Sequence, residues 1–139
     1  MNQAVSVFLT DSAISDDAAV RELVNRAYCN GAYNALDTVT MAKGFHRDFA
    51  IISAGADRLE RYTISEWIAA IEKRKAAPGF DIATAKRQCY LTSVDVTGDV
   101  ASVKMEVRKE GTRIYTDYLF LLRFAEGWKI VSKIYQDHQ

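Results

Sequence analysis

The sequence has little cysteine, histidine or proline, and these shortages exclude several classes of protein. Two cysteines, Cys29 and Cys89, are too few for the disulfide framework of a small secreted domain. The two histidines, His46 and His138, have no cysteine or carboxylate at ligand spacing, so we predict no metal site. The single proline, Pro78, is followed by glycine and marks the end of a predicted helix.

An excess of one charge sign is also absent. Lysine plus arginine and aspartate plus glutamate each number 18, so the formal net charge is zero. This balance excludes a general electrostatic attraction to nucleic acid or to an anionic membrane. The opening MNQAVSVFLTDS lacks a positive start and is too short for a signal-peptide core or a membrane span. We therefore expect a cytoplasmic protein with reduced thiols, and no pattern predicts a cofactor.

Three helices are predicted in the first half of the chain. A polar start at Ser15 and an apolar stripe at three- and four-residue spacing predict an amphipathic helix over residues 15–34. A shorter helix over residues 36–43 ends at Gly44. Thr63 and Glu66 have the spacing of a capping box and begin the third helix.

Strands dominate the second half, where the apolar period changes from 3.6 to 2. Long strands are predicted over residues 89–96, 100–109, 113–124 and 128–136, with short glycine-bearing turns between them. An earlier strand is predicted over residues 49–52. Helices followed by an antiparallel meander indicate an α+β fold. The length of 139 residues suits a single domain, with residues 1–14 as an N-terminal arm.

Several short motifs follow one another along the chain: Tyr28-x-x-Gly31 with Asp37, Phe45-His46-x-Asp48, Gly98-Asp99-x-Ala101, Asp117-Tyr118-Leu119, and Gly127-Trp128-Lys129-Ile130-x-x-Lys133. In this order they resemble the putative lumazine-binding family. That family is a branch of the NTF2-like superfamily, which also holds SnoaL-like and ketosteroid isomerase-like proteins. The resemblance implies a cystatin-like cone, in which three N-terminal helices pack on a curved, mainly antiparallel sheet that encloses a pocket.

Alternation along the strands predicts which residues line that pocket. We assign the even row of residues 113–124 to the inner face, because it is mainly apolar and contains one phenol. Lys133 and Tyr135 are then assigned to the outer face. The predicted ligand-binding residues come from the third helix and three strands: Trp67, Met105, Tyr118, Phe120, Trp128 and Ile130.

The catalytic chemistry of the related ketosteroid isomerases is not retained. The positions that match their two carboxylates hold Ser53 and Phe120, so whether the protein is an enzyme stays open. The remaining catalytic candidates are His46, Tyr118 and Tyr28. For His46, in the stretch FHRDF, we favour a structural role at the corner between a helix and a strand, and a ring turned into the pocket is the alternative.

Three functions follow from this reading. The favoured one is a protein that binds a small apolar or aromatic molecule in the pocket. The alternative is a lyase or isomerase that acts by proton transfer in the same pocket. A protein-interaction module that uses the face of the sheet is the third.

A homodimer is also predicted, through the outer face of the sheet. Apolar residues on the rows opposite the expected pocket would leave a patch that a second copy could cover. The residues of this predicted interface are Tyr115, Leu119, Leu121, Val131 and Tyr135.

Overall fold

The computed structural model describes residues 14–139, and these begin with a long helical stretch. Helix α1 covers Asp16–Val24 and is capped by Ser15, whose hydroxyl accepts a hydrogen bond from the amide of Ala18 at 3.1 Å. The helix continues as a π-helical segment, Asn25–Asn34. The expected helix over residues 15–34 is confirmed, but in its second half each backbone bond spans one residue more than in an α-helix.

Two further helices flank the first strands. Helix α2 covers Thr38–Gly44 and starts later than predicted, because the Asp37 carboxylate caps it by accepting from the amide of Thr40. Helix α3 covers Ile64–Lys75 and begins with the predicted capping box of Thr63 and Glu66. A 3₁₀ turn, Ile82–Ala85, follows α3. None of the described helices is long and apolar enough to cross a bilayer.

Six strands within residues 14–139 form one sheet: β1 Phe45–Ala54, β2 Leu59–Thr63, β3 Gln88–Thr97, β4 Val100–Lys109, β5 Thr112–Phe124 and β6 Gly127–Asp137. Their order is β2-β1-β6-β5-β4-β3, and only β1 and β6 pair in parallel. The predicted α+β fold with a mainly antiparallel sheet is confirmed. Strand β2 was not predicted, because it is a short, exposed edge strand without apolar alternation.

The helices cover one face of the sheet, which we call the inner face. On β4 the predicted inner row, which runs from Ala101 through Met105 to Val107, is buried as expected. Gly44 ends α2 against the π-helical segment, where a Cβ atom would overlap the side chain of Ala27. Strand β1 follows Gly44 directly, so it begins at Phe45 rather than at the predicted residue 49.

The predicted faces of β5 were reversed. Leu119 and Leu121 are buried on the inner face, whereas Tyr118 and Phe120 lie on the outer face with 41% and 42% of their surface exposed. The cross-strand partners agree, since Leu119 lies opposite the buried Val103. Both rows of β5 are apolar, so alternation alone could not decide which row faces the helices.

A bulge in β6 changes the face of its second half. Leu121 pairs with Ile130, but Phe120 pairs with Ser132, so Val131 is an extra residue on β6. Ile130 is therefore on the inner face, and so is Lys133 three residues later. The prediction that Lys133 and Tyr135 face outward was wrong for this reason.

The residues of the predicted dimer interface do not form a patch on the outer face. Leu119 and Leu121 are covered by the helices, and Tyr135 lies on the inner face with them. The outer face instead carries the other apolar row of β5, with neighbours on β6 and β4. Its exposed members are Tyr118, Phe120, Leu122, Phe124, Ile134 and Val100.

Candidate functional site

Three polar side chains meet inside the apolar core. Tyr28 comes from the π-helical segment, Asp117 from β5 and Lys133 from β6, and each is at most 4% exposed. The Tyr28 hydroxyl donates to Asp117 Oδ2 at 2.6 Å, and Lys133 Nζ donates to the same hydroxyl. Lys133 Nζ also lies 3.7 Å from Asp117 Oδ2. We call these three residues the buried polar cluster.

Aromatic rings surround the amine of this cluster. Lys133 Nζ lies 4.8 Å from the ring centre of Tyr28, 5.2 Å from that of Trp67 and 4.8 Å from that of Tyr135. The electron-rich faces of such rings attract a cation. They also cover most of the amine, whose polar neighbours are the Tyr28 hydroxyl and the Asp117 carboxylate.

The π-helical segment adds a second phenol. The rings of Tyr28 and Tyr33 are stacked with their centres 5.4 Å apart, and their hydroxyl oxygens are 3.4 Å apart. Residues five apart lie on different faces of an α-helix, where neighbours are three or four apart. Backbone bonds that span five residues bring Tyr33 beside Tyr28 instead.

Burial shifts the acid–base equilibria of the cluster. It raises the pKa of Asp117, although Lys133 and Tyr28 act in the opposite direction. It lowers the pKa of Lys133, although Asp117 opposes this shift. Burial also raises the pKa of Tyr28, so this phenol keeps its proton at neutral pH. Both shifts in the Asp117–Lys133 pair favour the uncharged forms. They therefore reduce the free-energy difference between the ion pair and the neutral pair.

A cavity of about 260 Å³ gives access to this cluster, with Lys133 in its lining. It lies between the π-helical segment, α3 and the inner face of the sheet. Its lining combines basic and aromatic side chains: Tyr33, Ile51, Trp67, Arg74, Arg87, Tyr115, Lys133 and Tyr135. We call it the Lys133 cavity.

The predicted ligand residues do not come together in one place. Only Trp67 lines the Lys133 cavity. Met105 and Ile130 are fully buried in the core, and Tyr118 and Phe120 lie on the opposite face of the sheet. Trp128 lines a different cavity, between α1 and the start of β6.

The catalytic candidates are also separated. Tyr28 belongs to the buried polar cluster, whereas Tyr118 lies on the outer face. The His46 ring stacks on Phe124 with 4.9 Å between ring centres. Its Nδ1 atom accepts a hydrogen bond from the amide of Asp48 at 3.0 Å. His46 thus lies at the start of β1, directly after α2, and it also borders a cavity of about 390 Å³, so its role stays a prediction.

Sequence reasoning missed Asp117, Lys133 and Tyr33. A signal for Asp117 was present, because it is a charged residue in the middle of a largely apolar stretch of β5, whereas β6 also carries Lys129 and Asp137, so its sequence does not single out Lys133. Isolated charges in such runs are buried only when they are paired. No comparable signal exists for Tyr33, whose position depends on the π-helical repeat.

The cluster does not have the composition of a metal site. No group of three or more histidine, cysteine, aspartate or glutamate side chains within residues 14–139 is arranged to hold a metal ion. The only carboxylate of the cluster, Asp117, is already occupied by Tyr28 and Lys133.

Comparison with known proteins assigns the family. A family model described as "Putative lumazine-binding" matches residues 15–136. The chain belongs to this family. No curated protein matches the chain significantly.

Solved structures with a similar fold agree with this assignment. An NTF2-like protein from Silicibacter pomeroyi DSS-3 is 26% identical with a TM-score of 0.66, over 87% of this chain and 94% of that one. An NTF2-like protein from Shewanella baltica OS155 is 22% identical with a TM-score of 0.65, over 100% and 99% of the two chains. An NTF2-like protein from Methylobacillus flagellatus KT is 24% identical with a TM-score of 0.63, over 91% and 96%.

The buried pair allows a test by mutation. Lys133→Met should lower the free energy of unfolding by about 3–5 kcal/mol, because the buried Asp117 loses its cation. Adding Asp117→Leu should recover much of this loss, since an apolar pair of similar volume replaces the ion pair. Urea unfolding measures both effects.

The matched control is Lys73→Met, at an exposed position of α3. It should change the free energy of unfolding by no more than about 0.5 kcal/mol. A double variant as unstable as the sum of its single variants would show that the two side chains are not energetically coupled.

Proposed function

We propose that this protein binds a small planar molecule that carries a negative charge, in the Lys133 cavity. The observation that carries the proposal is the lining itself, in which Arg74, Arg87 and Lys133 converge with aromatic rings. Among the described residues no carboxylate lines this cavity. The description of the family supports a planar ligand, because lumazine is a planar heteroaromatic compound.

The two arginines are held in place at the cavity wall. Arg87 Nη1 donates to the carbonyl oxygens of Thr84 and Lys86, and its guanidinium lies 5.8 Å from the ring centre of Tyr33. Its buried Nε has no partner within residues 14–139. Arg74 Nη2 donates to the Thr84 hydroxyl at 3.1 Å. Held guanidinium groups suit a carboxylate or another planar anion, because little side-chain freedom is lost when it binds.

This proposal changes the ligand expected from the sequence. An apolar lining would favour a neutral polycyclic molecule, whereas the Lys133 cavity offers two arginines, one lysine and three phenols. Trp67 and Tyr135 provide ring faces for an aromatic ligand. The arginines provide donors for its charged group.

Ligand pairs that differ only in charge test this function. Aromatic carboxylates should bind more tightly than the corresponding amides, and Arg87→Gln should weaken the carboxylates by roughly tenfold or more, because charge-assisted hydrogen bonds contribute about 1.5–3 kcal/mol. Isothermal titration calorimetry measures both differences. Arg113→Gln, at an exposed position on β5 outside the cavity lining, is the control. Equal affinity for the acids and the amides would contradict the proposal.

Proton transfer is the second candidate function, and the buried polar cluster is the observation that favours it. Asp117 and Lys133 have pKa values shifted toward each other, as in many acid–base sites. If the site removes a proton next to a carbonyl group, bound keto acids should exchange that hydrogen in deuterated water. Nuclear magnetic resonance should detect this exchange with the wild type and a loss of about 100-fold in Asp117→Asn. Equal rates with and without protein would exclude the reaction for these substrates.

We also propose that the protein forms a homodimer through the outer face of the sheet. The support is the exposed apolar row that begins at Tyr118 and continues through Phe120, Leu122 and Phe124. Rows of this kind are uncommon on monomers, and a two-fold partner would present the same row. This assembly leaves the Lys133 cavity free, because the cavity opens on the other side of the sheet.

Mutation of the centre of this row tests the dimer. Phe120→Glu should convert a dimeric mass to a monomeric one in size-exclusion chromatography with light scattering, because it buries a charge in the interface. Val39→Glu, at an exposed apolar position on α2, should leave the mass unchanged. A monomeric wild type at micromolar concentration would refute the dimer.

A further inference from the structure

The amine of Lys133 is positioned differently from an ordinary lysine. Its side chain is 5% exposed, and it lines a cavity large enough for a small molecule. A carboxyl group and a phenol are both within reach of its nitrogen. An amine used only as a structural cation would not need to border a cavity, and a surface lysine would have no buried acid beside it.

We propose that Lys133 forms an imine with a carbonyl compound that carries an anionic group. This inference rests on the proposed function, because the anionic group would be held by Arg87 and Arg74 at the cavity wall. The ring faces of Trp67 and Tyr135 would pack against the carbon skeleton of the same ligand. The ligand class is therefore a 2-oxo acid or an aromatic aldehyde with a carboxylate.

The reaction needs only groups that the cluster contains. Neutral Lys133 Nζ attacks the carbonyl carbon, so a C–N bond forms as the C=O π bond breaks, and one proton moves from the nitrogen to the oxygen to give a neutral carbinolamine. Protonated Asp117 gives its proton to the carbinolamine oxygen, the C–O bond breaks and water leaves. The Asp117 carboxylate then accepts the remaining proton of the nitrogen. One carbonyl compound and one amine yield one imine and one water, and Asp117 ends as it began.

The surroundings favour the neutral amine that this step requires. Burial lowers the pKa of Lys133 and raises that of Asp117, so the proton of the pair can lie on the carboxylate. Tyr28 keeps its proton, and its hydroxyl donates to Asp117 Oδ2, which holds this acid beside the amine. A lysine in an apolar pocket is a recognised arrangement for imine chemistry.

Borohydride trapping tests the proposal on the wild-type protein. The probe is 4-formylbenzoate, with sodium cyanoborohydride as the hydride source that reduces an imine to a stable secondary amine. Peptide mapping by mass spectrometry then compares the labelling rate of each lysine. Lys133 should be labelled roughly tenfold faster than exposed lysines such as Lys73, because within residues 14–139 only Lys133 has a buried carboxyl group beside it. Label spread evenly over the surface lysines would overturn the proposal.

A probe without a carbonyl group separates this inference from the proposed function. 4-Hydroxymethylbenzoate cannot form an imine, but it should raise the melting temperature and slow the labelling of Lys133. Stabilisation by this compound with no labelling of Lys133 by the aldehyde would overturn the imine and leave the binding function standing. Absence of both stabilisation and labelling would overturn both.

Two variants complete the experiment. Lys73→Arg should keep the labelling of Lys133 at the wild-type rate, and Lys133→Arg should abolish the fast label. Because Lys133→Arg can disturb the buried pair, the rates measured on the wild type decide the outcome if this variant does not fold.

Discussion

A carboxyl group and an amine lie inside the apolar core of this protein, and the packing around them follows from the cost of leaving either one without its partner. Asp117 and Lys133 are on neighbouring strands, and Tyr28 joins them from the helical layer. A buried charge without its partner costs several kcal/mol, so the three elements that carry these residues must stay in register. The cluster thereby ties the helical layer to the middle of the sheet.

The same cluster explains why the π-helical segment matters. Its repeat brings Tyr28 and Tyr33 to one face. The hydroxyl of Tyr28 donates to Asp117, and the ring of Tyr33 lines the Lys133 cavity. Because Gly44 has no side chain, the end of α2 can lie close to Ala27 in this segment. π-Helical turns are often found at functional sites, and here the π-helical repeat positions Tyr33 in the lining of the cavity.

The Lys133 cavity combines two features that usually occur apart. Its rings provide apolar surface, and its arginines and lysine provide positive charge without a carboxylate among the described lining residues. A neutral apolar ligand would offer no charged partner to the guanidinium groups of Arg74 and Arg87, whereas Lys133 already contacts Asp117. These side chains are the support for the anionic ligand that we propose, and Lys133 is one of them.

Much of the fold was determined by the sequence alone, and the site was decided by the tertiary structure. On β4, residues such as Lys104 and Glu106 alternate with apolar ones, so the pattern predicted its inner face correctly. The capping box at Thr63 likewise depends only on neighbouring residues. On β5 both rows are apolar, so only packing against the helices could choose between Leu119 and Phe120. The extra residue Val131 then turned Lys133 inward, because a single inserted residue reverses every later side chain of a strand.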